Sequence, residues 1–161
     1  MTRTGRAGAG RAGAGPAALR PDPSADILHA SCVVLGRAGV LILGPSGSGK
    51  SALALRLMAL GFALVADDRV ALTANGGAIE AAAPPGLPAM IEARGIGLLA
   101  ARLAPPSPIV LAVDLGRTET DRLPPRRVWS WRGISVDCVH GPATGHFPAA
   151  IVQYIRLGRA A

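Results

Sequence analysis

The run Val40-Leu41-Ile42-Leu43-Gly44-Pro45-Ser46-Gly47-Ser48-Gly49-Lys50-Ser51 sets the architecture of this chain. Four apolar residues form a short strand of the buried type, a glycine-rich loop follows, and a helix begins at its end. Gly44 to Ser51 satisfies the pattern G-x-x-x-x-G-K-[ST] in the strand-loop-helix context that the pattern requires. Backbone N–H groups can wrap a phosphate only where side chains stand aside, and Gly47 and Gly49 supply that freedom. The helix N-terminus adds its positive dipole end. Lys50 brings a compact charge to the β- and γ-phosphates, and the Ser51 hydroxyl suits a Mg²⁺ position. Gly44, Pro45, Ser46, Gly47, Ser48, Gly49, Lys50 and Ser51 are therefore the candidate nucleotide-binding residues. Composition sharpens the point: of 17 basic residues, Lys50 is the single lysine and the other 16 are arginine.

Outward from this run, apolar segments alternate with turns. Ile27–Leu35 reads as one strand and Gly36–Gly39 as a turn. Ser51–Leu60 has helical spacing and stops at Gly61. Ala63–Ala66 is a short strand ending in Asp67-Asp68, and Val70–Thr73 reads as its continuation. Asn75-Gly76-Gly77 signals a hairpin into Ala78–Ala83. Pro84-Pro85 breaks the pattern and an irregular stretch follows. Ile109–Leu115 is a clear strand, Val128–Val139 holds one or two more, and His146–Leu157 predicts a C-terminal helix. Strands outnumber helices. The expected class is α/β: a β-rich sheet carrying a phosphate-loop helix and a C-terminal helix.

The formal charge of +7 suggests a nucleic-acid binder until its placement is considered. Arg3, Arg6, Arg11 and Arg20 lie among the first 20 residues, where there is no acid, so the other 141 residues carry only +3. That is close to an ordinary domain, and no nucleic-acid partner is expected. Residues 1–25, with GRAGAG twice, predict a disordered low-complexity leader, and residues 26–161 the folded domain. Cys32 and Cys138 match no metal-ligand spacing and read as free thiols. No apolar run approaches the ~20 residues of a membrane span, and the basic N-terminus lacks a secretory apolar core, so a cytoplasmic protein is expected.

Phosphoryl transfer needs carboxylates, and three sets offer themselves: Asp67-Asp68, Glu92 within Met-Ile-Glu-Ala-Arg-Gly-Ile-Gly, and Asp114 at the end of Ile-Val-Leu-Ala-Val-Asp. Asp114 is where a standard Walker B acid would stand. Taken in order, His29, GPSGSGKS, LVADDRV, the APP at 83–85, IEARGIG at 91–97 and Asp121-Arg122-Leu123 resemble one family, the catalytic domain of HPr kinase/phosphorylase. The resemblance runs from about Ile27 to Pro124. It implies a fold of the HPr kinase and PEP carboxykinase kind, ATP and Mg²⁺ as cofactors, and the phosphocarrier HPr or an HPr-like protein as partner. It further implies that Asp68 is the base taking the serine proton, that His29 and Arg122 belong to the active site, and that Ser51 and Glu92 hold Mg²⁺. Asp67 would help hold the metal or orient Asp68. Arg94 could line the site or form a salt bridge. His140 and His146 match no motif of the family, and Trp129 and Trp131 read as packing or interface residues.

Three departures qualify what the resemblance implies. The family's N-terminal domain has no counterpart here, and the stretch from Glu92 to Arg122 is short. The Lys and Gly-Arg-Asn elements of the dephosphorylating segment are also missing. Serine kinase activity is thus expected more than phosphorylase activity. The family's hexamer is a candidate assembly. Two alternatives stay open: a small-molecule kinase or NTPase using Asp114, and an ATP-sensing module without turnover.

Overall fold

The computed structural model describes residues 24–141 and 144–161, so the expectation of a disordered leader lies largely outside the described residues. The element order is β1 (Asp26–Leu28), β2 (Ser31–Leu35), β3 (Ala38–Leu43), α1 (Lys50–Ala59), β4 (Ala63–Ala66), β5 (Val70–Asn75), β6 (Ala78–Ala82), β7 (Met90–Ala93), β8 (Gly97–Ala100), β9 (Ser107–Thr118), β10 (Arg127–Trp131), β11 (Ile134–Gly141) and α2 (Phe147–Leu157). Nine strands form one curled mixed sheet in which β1-β5-β6-β9-β3-β2-β4 are successive neighbours and the β10–β11 hairpin joins through β11 to β9. The fold is mixed α/β and rich in strands. Among the described residues no helix is long and apolar enough to cross a membrane.

The long strand β9 holds the two parts of the sheet together. Ser107 and Pro108 pair antiparallel with β6, while Ile109–Asp114 pair parallel with β3 and Leu111–Thr118 parallel with β11. Covered on both faces, β3 has no use for polar residues, which explains its uninterrupted apolar run. Val40 and Ile42 point into one cluster with Leu53, Leu57 and Ile151 of the helices. Leu41 points into the other, with Val70, Leu72 and Ile79 of the β5–β6 leaf and with Trp129 and Trp131 packed at its edge. Each fully buried Leu or Ile here contributes roughly 1.5–3 kcal/mol. Gly61, at φ 103, ends α1, where its N–H bonds the Met58 carbonyl.

The structure corrects three expectations of the sequence. Ile27–Leu35 is two strands, because β1 pairs with β5 whereas β2 pairs with β3 and β4; the chain changes neighbours at His29-Ala30. Val70–Thr73 does not continue β4. The chain turns at Asp67-Asp68, Asp68 takes a left-handed φ of 67°, and β5 leaves to meet β1 and β6. The stretch after Pro84-Pro85 contains a second, two-stranded sheet, β7–β8, packed against α1. The Gly76-Gly77 hairpin stands as expected, with both glycines at positive φ (57° and 79°) between the paired Asn75 and Ala78.

Candidate active site

Residues 44–49 leave β3 and deliver the chain into α1 through a loop that only glycine can follow at its sharpest points: Gly44, Gly47 and Gly49 have φ 147°, 80° and 95°. A side chain at Gly44 would also collide with Ser48, since a Cβ there would lie 2.5 Å from Ser48 Oγ. That hydroxyl is buried and makes no hydrogen bond within the described residues. Gly49 is the N-cap of α1. It offers no side-chain cap, and no acid lies in the first turn, so the helix end keeps its unpaired N–H groups and its positive dipole. Lys50 is buried, yet its Nζ meets no carboxylate: it donates to the carbonyls of Gly44 (2.9 Å) and Pro45 (3.0 Å).

The two aspartates at the end of β4 divide the work that their positions allow. Asp67 is buried and accepts from Ser31 Oγ at 2.6 Å, from Ser51 Oγ at 2.9 and 3.0 Å, and from the Glu92 backbone N–H at 3.3 Å. One carboxylate thus ties β2, α1 and β7 together beneath the loop. Asp68, turned outward by its left-handed backbone, is 69% exposed. His29 Nδ1 lies 3.0 Å from an Asp68 carboxylate oxygen and 3.1 Å from the Asp68 carbonyl. Both neighbours are acceptors, so Nδ1 carries the proton and donates to them.

Except for Asp67, which lies behind Ser51, these side chains face one cavity of about 550 Å³. His29, Lys50, Ser51, Asp68, Glu92 and Arg94 line it together with the loop residues Ser46, Gly47 and Gly49. Glu92 projects from the exposed face of β7, and Arg94 follows in the β7–β8 turn. Among the described residues, no group of three or more His, Cys, Asp or Glu side chains could hold a metal ion by itself.

Arg122 is not brought into this cavity. It lines a second one, of about 580 Å³, with Asp121, Arg127, His140, His146 and Arg159 among others. There Glu119, bonded to Arg127 at 2.6 Å, is held below the usual carboxylate range, first by the backbone N–H of Asp121 and then by the Arg127 charge. Asp114 sits beside Leu43 in the β3–β9 ladder, but its carboxylate accepts from the Gly116 N–H (2.9 Å) and faces Arg117 (3.5 Å). It does not line the cavity of Lys50 and Ser51. Both cysteines are free thiols, and burial pushes Cys32 up to about 12, so it is no nucleophile.

Ser31 is the cavity residue that the sequence does not announce. A serine in an apolar strand carries no signal until Asp67, 36 positions away, is found against it. Arg94 was at least marked by its place in IEARGIG, which is the turn that forms one cavity wall.

Known proteins resemble this chain in sequence and fold. The model of the HPr Serine kinase C-terminal domain matches residues 23–104, just over half of the chain. The HPr kinase/phosphorylase of Bordetella petrii is 55% identical over 62 residues, which cover 38% of this chain and 20% of that protein. That of Chromobacterium violaceum is 43% identical over 74 residues, covering 45% and 23%. The matched stretches thus span about one fifth of the length of these relatives. The HPr(Ser) kinase/phosphatase from Coxiella burnetii superimposes with a TM-score of 0.68 over 81% of this chain and 94% of that one, at 24% identity, which shows the shared fold.

Proposed function

Because this chain belongs to the family of the HPr Serine kinase C-terminal domain, we propose that it is a Mg²⁺- and ATP-dependent kinase that phosphorylates a serine of HPr or an HPr-like phosphocarrier. One observation carries the reading. A single cavity joins the glycine loop and Lys50 to an exposed carboxylate, Asp68, that has a histidine bonded to it.

The residues fit the substrates. Glycines at positive φ and an uncapped helix N-terminus offer N–H groups to a phosphate chain, and Lys50 offers a charge held only by carbonyls. For a divalent cation, Ser51 supplies a hydroxyl, Asp67 a carboxylate 2.9–3.0 Å from it, and Glu92 a second carboxylate at the rim. This sparse set suits Mg²⁺, which takes one or two carboxylates and fills its sphere with substrate phosphate and water. When bound, the ion neutralises charge on the phosphates.

Asp68 is the base in this proposal. Its carboxylate takes the proton of the serine hydroxyl as the serine oxygen bonds to the γ-phosphorus and the bond from that phosphorus to the ADP oxygen breaks. His29, donating to Asp68, fixes the direction of the carboxylate. Ser31 and Asp67 hold Ser51 and the Glu92 backbone in place beneath. Arg122 lines the neighbouring cavity and not this one, so the proposal assigns it no step.

The test is transfer of labelled γ-phosphate from ATP to HPr with Mg²⁺, comparing the natural chain with Asp68→Ala and Asp114→Ala. Serine phosphorylation should fall by ~10²–10⁴-fold in Asp68→Ala and persist in Asp114→Ala. Loss mainly in Asp114→Ala would favour a Walker B enzyme. ATP binding without any transfer would favour a sensing module.

A further inference from the structure

Among the described residues, only Asp68 (φ 67°) and Arg132 (φ 47°) place a side chain in the left-handed region. They grip opposite ends of the same three-residue strand. At one end of β1, His29 follows Leu28 and bonds to Asp68. At the other, the Asp26 carboxylate accepts the Trp131 Nε1–H at 2.9 Å on one oxygen and an Arg132 guanidinium N–H at 2.9 Å on the other. The Arg132 guanidinium also lies 4.7 Å from the centre of the Trp131 ring.

Such a clasp has a purpose on a strand like β1. Among the described residues it lies at the sheet edge and pairs only with β5, through Asp26–Leu72, Ile27–Ala71 and Leu28–Val70. Three ladder positions hold an edge strand poorly. His29 is 52% exposed, so side-chain packing does not fix it; its position follows from the backbone on either side, β1 before it and the buried Ala30-Ser31 after it. Arg132 and Gly133 (φ 76°) form the tip of the β10–β11 hairpin, between the paired Trp131 and Ile134. The first of two such positions ordinarily takes Asn, Asp or Gly. An arginine kept there is held by its surroundings, and those surroundings are Asp26 and Trp131. Trp131 and Leu28 also pack against one core cluster, which brings the hairpin tip to β1.

We propose that Asp26, Trp131 and Arg132 are positioning residues for the His29–Asp68 pair, clasping β1 so that the histidine stays on the carboxylate. The inference rests on the kinase reading for its consequence in turnover, while the clasp itself can be tested without it.

The test uses the full chain with two gentle variants, alone and combined. Trp131→Phe keeps an aromatic side chain against the core cluster while deleting the N–H and the second ring of the indole. Arg132→Gly deletes the guanidinium and also relieves the left-handed strain, so it should not lower the urea midpoint. In the combined variant, amide exchange of the β1–β5 ladder should accelerate by at least ~10-fold while α1 and β3 keep their protection. The His29 imidazole ¹⁵N signals, one set of three in the chain, should move toward those of free histidine. With HPr as acceptor, kcat should fall by about 10-fold with the KM for ATP unchanged, as expected for a misplaced catalytic group. Unchanged β1 exchange and His29 signals would overturn the proposal, and so would a common fall of kcat, ATP affinity and urea midpoint, which marks general destabilisation. If the natural chain transfers no phosphate to HPr, the kinase reading fails, and the exchange and ¹⁵N results still decide the clasp.

Discussion

Replacing Asp67 by alanine tests the buried junction beneath the glycine-rich loop. The carboxylate receives three donors from three elements, and the Ser31 hydroxyl among them is fully buried at 2.6 Å. Losing the acceptor leaves that hydroxyl unsatisfied, at a cost of ~1–3 kcal/mol. Ser51 and the Glu92 N–H border the cavity and can turn to water, so their loss adds only about 1 kcal/mol. Removing a buried charge recovers part of this. The expected net destabilisation is therefore about 2 kcal/mol, read as a lower urea midpoint at unchanged slope, without nucleotide or Mg²⁺. Ser31→Ala should cost about 1.5 kcal/mol, because one charge-assisted bond is lost while the others remain. The double variant should cost less than the two singles combined, with a coupling of about 1 kcal/mol. An Asp67→Ala chain within ~0.5 kcal/mol of the natural one, or singles that simply add, would refute the assignment of Asp67 as the tie between β2, α1 and β7.

Two further predictions concern stability. Gly39→Ala would place a Cβ 2.5 Å from the Pro108 carbonyl oxygen and 3.4 Å from Ile109 Cα, all backbone of the paired strand β9. It should cost at least ~2 kcal/mol in thermal or urea unfolding, whereas Gly36→Ala, in open space at φ 62°, should cost only ~1 kcal/mol; equal effects would contradict the close approach of β3 and β9. Glu119→Gln tests the carboxylate of the second cavity. Its folded pKa lies below the usual value of 4.5, so its contribution is complete above that value and is lost as the pH falls through the lower folded one. The natural chain should thus exceed the variant in stability at pH 7, and the gap should close at acid pH. A gap that widens on acidification has the wrong sign.

The strand-loop-helix run around Lys50 was legible because all of its information is local. Apolar residues, glycines, the lysine and the helix formers follow one another within a dozen positions, and the hairpin at Gly76-Gly77 is local in the same way. The segment Ile27–Leu35 was not, because hydropathy is continuous across His29 while the neighbouring strands change there. Composition also concealed the β7–β8 hairpin: Gly95, Gly97 and the preceding prolines look like loop, whereas Ile91 and Leu99 pair and face inward against α1. Arg122 illustrates the limit of a local motif. A matching tripeptide marked it for the site, yet the described fold sends it to another cavity.

By itself, then, the sequence determined the glycine-rich loop between strand and helix, the acids near it and the mixed α/β class, since each rests on neighbours along the chain. Only the tertiary structure decided which aspartate is buried and which is exposed, because that depends on Asp68 taking a left-handed turn between β4 and β5. The same holds for Ser31 beneath Asp67 and for Trp131 on Asp26, contacts across 36 and 105 positions. No local pattern encodes such pairings. They exist only once the curled sheet has brought its strands into register.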